Sequence, residues 1–267
     1  MIRKPAVAGQ FYPGNKEKLQ DLVQRYLTPK VTKEDVLGVV APHAGYIYSG
    51  EVAGATYSKV KERPTVIILG VNHRGLGRSF AVYRKGTWET PISKVEIATE
   101  VVERFLSSSA YLQEDPLTHQ VEHSLEVQIP FLQIHFKNPF KIIPISISYG
   151  NLRDFQNLGR ELAAKIEDST QFLIIASTDF THYEPQGEAE RKDGEAIKAI
   201  LSLDEEGLFN KVQQLNISMC GYAPTIVMLT LVKALGAKEA ELVKYMTSGD
   251  TTGDYNQVVG YAGIIIK

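Results

Sequence analysis

Val39-Val40-Ala41-Pro42-His43-Ala44-Gly45-Tyr46 is the stretch from which the fold is read. An apolar run stops at a proline, and a histidine and a glycine follow at once. Consecutive apolar residues, as opposed to alternating ones, are what a strand covered on both faces requires. The figure recurs twice. Val66-Ile67-Ile68-Leu69-Gly70 leads into Asn72-His73-Arg74-Gly75. Phe172-Leu173-Ile174-Ile175-Ala176 leads into Thr178-Asp179-Phe180-Thr181-His182.

Between these runs the apolar spacing turns helical. Leu19, Leu22, Val23, Tyr26 and Leu27 share one face over residues 16–27, and Pro29 ends that helix. Ser49 is placed to cap a helix running to about residue 60. Further helices are expected over 95–106, 152–166, 188–201, 204–215 and 223–235, the last with Pro224 in its first turn. Residues 122–136 also read as a helix, which Pro130 must kink or start late. Strands are expected over 79–83, 87–89, 140–148, 241–246 and 258–266. Residues 1–15, rich in Gly and Pro, are expected to lie across the surface, and 249–255 to form a polar loop. Strands alternating with helices from end to end predict an α/β fold. We read one domain over residues 1–267, with a mostly parallel central sheet flanked by helices.

Composition narrows the function. Of 267 residues, 43% are hydrophobic and 22% charged, with a formal net charge of −2, as in ordinary globular proteins. Lys and Arg are dispersed, so neither nucleic acid nor an anionic membrane surface is an expected partner. No apolar run approaches the ~20 residues of a membrane span. Arg3 and Lys4 are not followed by the apolar stretch of a secretory leader, and a cytoplasmic protein is expected. One cysteine, Cys220, forms no internal disulfide. There is no Walker-A loop, no Gly-x-Gly-x-x-Gly after a strand, no Gly-x-Ser-x-Gly elbow and no Cys-x-x-Cys pair.

If the three apolar strands are parallel, His43, His73 and His182 share the rim beyond the strand carboxyl ends, where open α/β sheets bind ligands. The contrary expectation is a mixed sheet that points them to different edges. Imidazoles suit Fe, Cu, Zn and Ni. Asp179, three residues before His182, is placed either to orient that ring or to cap a turn. Cys220 precedes an apolar helix, whose N-terminus favours a thiolate, though a buried inert thiol reads equally well. His123 opens the 122–136 segment, as a pocket group or a solvent-facing one. Tyr46, Tyr48 and Asn72 flank the histidines, and Asp250 and Asp254 lie in the late loop; all are candidates for the pocket wall. His119 and His135 carry no functional signal.

Taken together, Ala41-Pro42-His43-Ala44-Gly45-Tyr46, Gly70-Val71-Asn72-His73, Glu122-His123-Ser124-Leu125-Glu126, Ser177-Thr178-Asp179-Phe180-Thr181-His182 and Cys220-Gly221 closely resemble the Memo family. The likeness extends from Ala8-Gly9-Gln10-Phe11-Tyr12 to Tyr261-Ala262-Gly263. It implies a fold similar to class III extradiol dioxygenases, which are non-haem iron enzymes. It further implies His43 and His73 as metal ligands, with Cys220 where the dioxygenases carry a glutamate. By the same likeness His182 is the acid/base histidine and His123 a further pocket histidine. A thiolate in the carboxylate's place softens the site toward copper, zinc or altered iron, and sets the chain apart from ring-cleaving enzymes. Prokaryotic members are grouped with an AMMECR-domain protein and a radical-SAM protein, and the animal relative is associated with phosphotyrosine-receptor signalling. The resulting expectation is a metal-dependent oxidoreductase of unknown substrate, using Fe(II), with Cu or Zn as alternatives. Two other expectations are a peptide- or phospho-ligand-binding module on a vestigial enzyme fold, and a zinc-type hydrolase.

Overall fold

In a computed structural model that describes residues 1–267, strands and helices alternate along the chain. First come β1 (Ile2–Arg3), α1 (Lys16–Tyr26), β2 (Gly38–Ala41), α2 (Tyr46–Ser58) and β3 (Thr65–Val71). Then follow β4 (Phe80–Val82), β5 (Thr87–Glu89), β6 (Lys94–Ile97), α3 (Thr99–Ser108) and β7 (Gln113–Glu114). The middle of the chain supplies α4 (Ile129–His135), β8 (Lys141–Ile147), α5 (Leu152–Ala163), β9 (Phe172–Ser177) and β10 (His182–Glu184). It closes with α6 (Gln186–Leu201), α7 (Glu205–Gln214), α8 (Tyr222–Ala234), β11 (Ala240–Thr247), α9 (Gly249–Thr252) and β12 (Val258–Ile266).

The three apolar runs are neighbours at the centre of one sheet. β6, β8, β3, β9 and β2 lie in that order and are parallel throughout. Antiparallel strands extend the sheet on both sides, β12 beside β2 with β10 and β11 against it, and β4 and β5 against β8 and β6. Leu69, Ala176 and Val40 stand side by side, so the three strands end in step. Every residue of β2 and β9 is buried, as is β3 from Val66 onward. α8 packs against β2, β3 and β9 and is itself covered by α5 and α7, which is why it is apolar all round. On the other face α2 packs against β2, β11 and β12 and carries α1 outside it. The α1–α2 contact depends on Gly54, where a Cβ would meet the Tyr26 carbonyl oxygen at 2.4 Å. One apolar core runs from Val7 to Ile266, so the chain is a single domain.

Several boundaries differ from the sequence reading, each for a local reason. Residues 94–97 are strand, with Val95 and Ile97 buried and Lys94 and Glu96 exposed; that period of two precedes the helix, which begins at Thr99. Residues 126–128 form a 3-10 turn, and α4 starts with Pro130 in its first turn. α2 starts at Tyr46 with Gly45 as its cap, while Ser49 donates to the Ala44 carbonyl. The late loop contains the one-turn α9. Residues 1–15 run over the surface but are anchored into the core at Arg3, Val7 and Tyr12, which are buried. Arg3 donates to Glu126 at 2.6 Å and to the carbonyls of His119 and Glu122, with its guanidinium 4.0 Å from the Trp88 ring centre. Glu126 also accepts from the Ala6 and Val7 amides and the Tyr12 hydroxyl. This pairing straps the N-terminal segment to the stretch that carries His123.

Candidate metal centre

Parallel, in-step strands bring the predicted histidines to one rim. His43 leaves β2 just before α2. Its backbone N–H donates to Asp179 Oδ1 at 2.7 Å, and its ring Nδ1 lies 3.0 Å from Oγ of Ser177, the last residue of β9. The other ring nitrogen, Nε2, lies 3.2 Å from Cys220 Sγ. Burial pushes His43 well below the ordinary histidine range, and the neighbouring His123 and His73 push the same way, so the ring is neutral at pH 7.

His73 is held by a residue that sequence reasoning passed over. Its Nδ1 donates to Glu122 Oε1 at 2.9 Å and its backbone N–H to Oε2 at 2.8 Å. Glu122 accepts further from the amides of His123 and Ser124 and is only 1% exposed. Burial alone would raise its carboxyl; the His73 ring and these amides outweigh that and bring it down to about 2. A carboxylate gripping Nδ1 of a histidine fixes the tautomer and leaves Nε2 with a free lone pair, the arrangement common behind metal ligands. Glu122 is next to His123 in sequence but 49 residues from His73, so no spacing rule links them. The only signal in the sequence is its place beside His123 in the Glu122-His123-Ser124-Leu125-Glu126 motif.

His123 completes the group. Its ring stacks on His73 at 4.7 Å and meets His43 edge-on at 5.3 Å. One ring nitrogen from each of His43, His73 and His123 lies within 4.8 Å of the others. Burial lowers His123 to about 4. Imidazole nitrogens gathered this closely are a donor set for a borderline divalent ion, so these residues fit a metal. The expected set had Cys220 as third ligand and His123 as a pocket histidine; the structure closes the three rings on one another and leaves Cys220 beside His43. Cys220 is half-buried, accepts from the Asp179 amide and lies near Thr178 Oγ1. Burial, with the Asp179 carboxyl close by, pushes its thiol up, which opposes the thiolate expected at a helix start.

Asp179 does not orient His182. Its carboxylate accepts the His43 amide, and burial raises it to about 6 against that hydrogen bond. His182 is oriented instead by two carbonyls, Phe180 at 2.7 Å and Ser218 at 3.0 Å, both facing Nδ1. Nδ1 therefore carries the donating N–H, and Nε2 is the nitrogen turned to the other side of the ring.

Above the histidines opens a cavity of about 580 Å³, within the range of small-molecule sites. His182 lines it, as do Phe11, Tyr48, Tyr183 and Tyr261, with Asp254 at the rim. Phe11 packs on His123 at 4.6 Å, which makes the N-terminal strap part of the wall. Tyr183 holds φ +59°, a left-handed conformation that costs a bulky side chain energy and turns it out over the cavity. Other candidates are structural. Tyr46 donates to the Val127 carbonyl, Asn72 to the Leu76 carbonyl, and Asp250 accepts the Thr247 amide. His119 is enclosed by Tyr83 and Trp88, and His135 bonds the Val60 carbonyl, both away from the site.

Comparison with known proteins bears on this geometry. The family model described as "Memo-like protein" matches residues 3–265. A MEMO1 family protein of Methanopyrus kandleri is 42% identical over 100% of this chain and 99% of its own length. One from Aquifex aeolicus is 43% identical, covering 99% of this chain and 98% of its own. Among solved structures, an uncharacterised protein of Escherichia coli K12 (JW3007) superposes with a TM-score of 0.60 at 15% identity. That match covers 85% of this chain and 98% of the other, a likeness of fold.

Proposed function

The chain belongs to the Memo-like family, and from that premise we propose that it is a metal-dependent oxidoreductase acting on a small molecule. The observation that carries this reading is the convergence of His43, His73 and His123 beneath an open cavity. These three rings would hold the ion, Fe(II) in the first place, with Cu or Zn as alternatives. When bound, such an ion supplies a Lewis-acidic centre that, for Fe or Cu, is also redox-active. Everything else is done by the chain. Glu122 and Ser177 hold the ligand rings in place. His182, with Nδ1 held by two carbonyls, presents Nε2 for moving a proton to or from the bound substrate. Phe11, Tyr48, Tyr183 and Tyr261 offer the substrate an aromatic wall. Cys220, against His43, is placed to sense or join the coordination shell. No helix is long and apolar enough to cross a membrane.

The direct test is elemental analysis of untagged protein followed by anaerobic titration with Fe(II). One equivalent bound, and lost in His43→Ala, is expected. Protein that arrives empty and takes up neither Fe(II) nor Cu(I) refutes the proposal. Three imidazole donors without an anionic ligand also suit Zn(II), which favours a hydrolase as the second reading. Turnover sustained by Zn(II) under strict anaerobiosis would select it.

A further inference from the structure

We propose that Ser177 and Gln128 are positioning residues that lock His43 in its Nδ1–H tautomer, so that Nε2 is presented bare to the histidine cluster. The inference rests on the metal-site reading for its purpose, but its geometry stands alone. Ser177 Oγ has three polar neighbours: the Ser124 carbonyl at 2.6 Å, Gln128 Nε2 at 2.7 Å and His43 Nδ1 at 3.0 Å. A serine hydroxyl has one proton to give and two lone pairs to receive with. The Ser124 oxygen is a carbonyl and only accepts, so it takes the hydroxyl proton.

The amide of Gln128 is oriented just as firmly. Its nitrogen lies 2.9 Å from the Pro42 carbonyl, an acceptor that admits no oxygen there, while Oε1 faces the Tyr57 hydroxyl at 2.7 Å. Gln128 therefore donates to Ser177 and occupies one lone pair. One lone pair remains, and His43 Nδ1 can satisfy it only as a donor. All members of this chain are buried, so water does not offer His43 another arrangement.

The consequence reaches beyond one ring. Free neutral imidazole has no strong preference imposed on it, and a ligand histidine in the wrong tautomer must exchange its proton before it can bind an ion. Glu122 imposes the Nδ1–H form on His73 from one end of the segment 122–128, and Gln128, through Ser177, imposes it on His43 from the other. The same segment carries His123 and is tied down by Arg3 through Glu126. A single irregular stretch thus supplies one ring of the cluster and sets the tautomers of the other two.

Nitrogen-15 NMR of histidine-labelled, chelator-treated full-length protein reads the tautomer directly, with His43 assigned by its loss in His43→Asn. The expected result is an Nδ1–H ring in the wild type and in Ser177→Thr, which keeps the hydroxyl. Ser177→Ala should move His43 to the Nε2–H form or a mixture, and should weaken Fe(II) or Zn(II) binding 10- to 100-fold, as loss of such supporting partners typically does. An Nε2–H ring in the wild type overturns the inference without any variant having to fold. So does a folded Ser177→Ala protein with unchanged tautomer. If the wild type binds no metal at all, the functional proposal fails while the tautomer measurement still decides this one.

Discussion

Glu122→Gln probes the site and the fold together. The carboxylate is 1% exposed and receives four N–H groups: the ring and amide of His73 and the amides of His123 and Ser124. Glutamine matches its size but loses the charge and turns one acceptor into a donor facing donors. The lowering of the acid from 4.5 to about 2 corresponds to the folded state's preference for the ionised form. At 1.36 kcal/mol per decade that preference is roughly 3 kcal/mol. Four charge-assisted hydrogen bonds at about 1.5–3 kcal/mol each would suggest more, but the cost of burying the charge offsets much of it. Chelator-treated Glu122→Gln should therefore be less stable by roughly 3 kcal/mol in urea at pH 7, and metal affinity should drop roughly 10- to 100-fold. The sign with pH follows from the lowered folded-state value. The stabilisation is complete above the unfolded value of 4.5 and is lost as pH falls toward 2. The gap between wild type and variant should thus hold from pH 8 to about 5 and narrow below that. A gap under about 1 kcal/mol, or one that is the same at pH 7 and pH 4, would refute the reasoning.

Three further outcomes follow from the same geometry. Anaerobic metal titration should show a larger loss of affinity in His123→Ala than in Cys220→Ala, since the three rings form the closest set of donor atoms; the reverse order would make Cys220 the third ligand. Arg3→Met leaves the buried Glu126 carboxylate without its counter-ion and should cost about 3–5 kcal/mol in denaturant unfolding, with loosening of the strap visible as faster amide exchange at Val7. His123 is lowered to about 4, so its neutral burial favours folding fully above the unfolded value of 6.5 and less as pH falls through 6.5 toward 4. The stability difference between wild type and His123→Asn, measured thermally without metal, should shrink across that window; Asp179, raised in the opposite sense, is present in both proteins and cancels.

Local pattern and tertiary placement contributed differently to this molecule. The consecutive apolar residues of 39–41, 66–70 and 172–176 state their own burial, because a strand exposed on one face would alternate. Helical spacing between them implies crossovers, and crossovers imply parallel strands with one shared rim. His43, His73 and His182 could be assigned to that rim from sequence for this reason. The errors were also local in origin. Val95 and Ile97 run without a break into the helical spacing of Val102 and Phe105, and pairing with β5 and β8 sets where the strand ends and the helix begins. The N-terminal segment looked superficial because its turn residues advertise no core, yet Arg3 finds a buried partner 123 residues away.

The sequence by itself determined the fold class, the common rim and the histidines that stand on it, since these depend on the period of apolar residues and on what directly follows each strand. Only the tertiary structure decided what each histidine faces. Hydrogen bonds have fixed reach and direction, and their partners here come from distant parts of the chain. Glu122 meets His73, Ser177 and Gln128 meet His43, the carbonyls of Phe180 and Ser218 meet His182, and Asp179 turns from His182 to a backbone amide. His123, an ambiguous histidine in sequence, becomes a member of the cluster because the segment 122–128 is pinned from both ends. Spacing along the chain cannot encode that pinning, which arises when the chain packs.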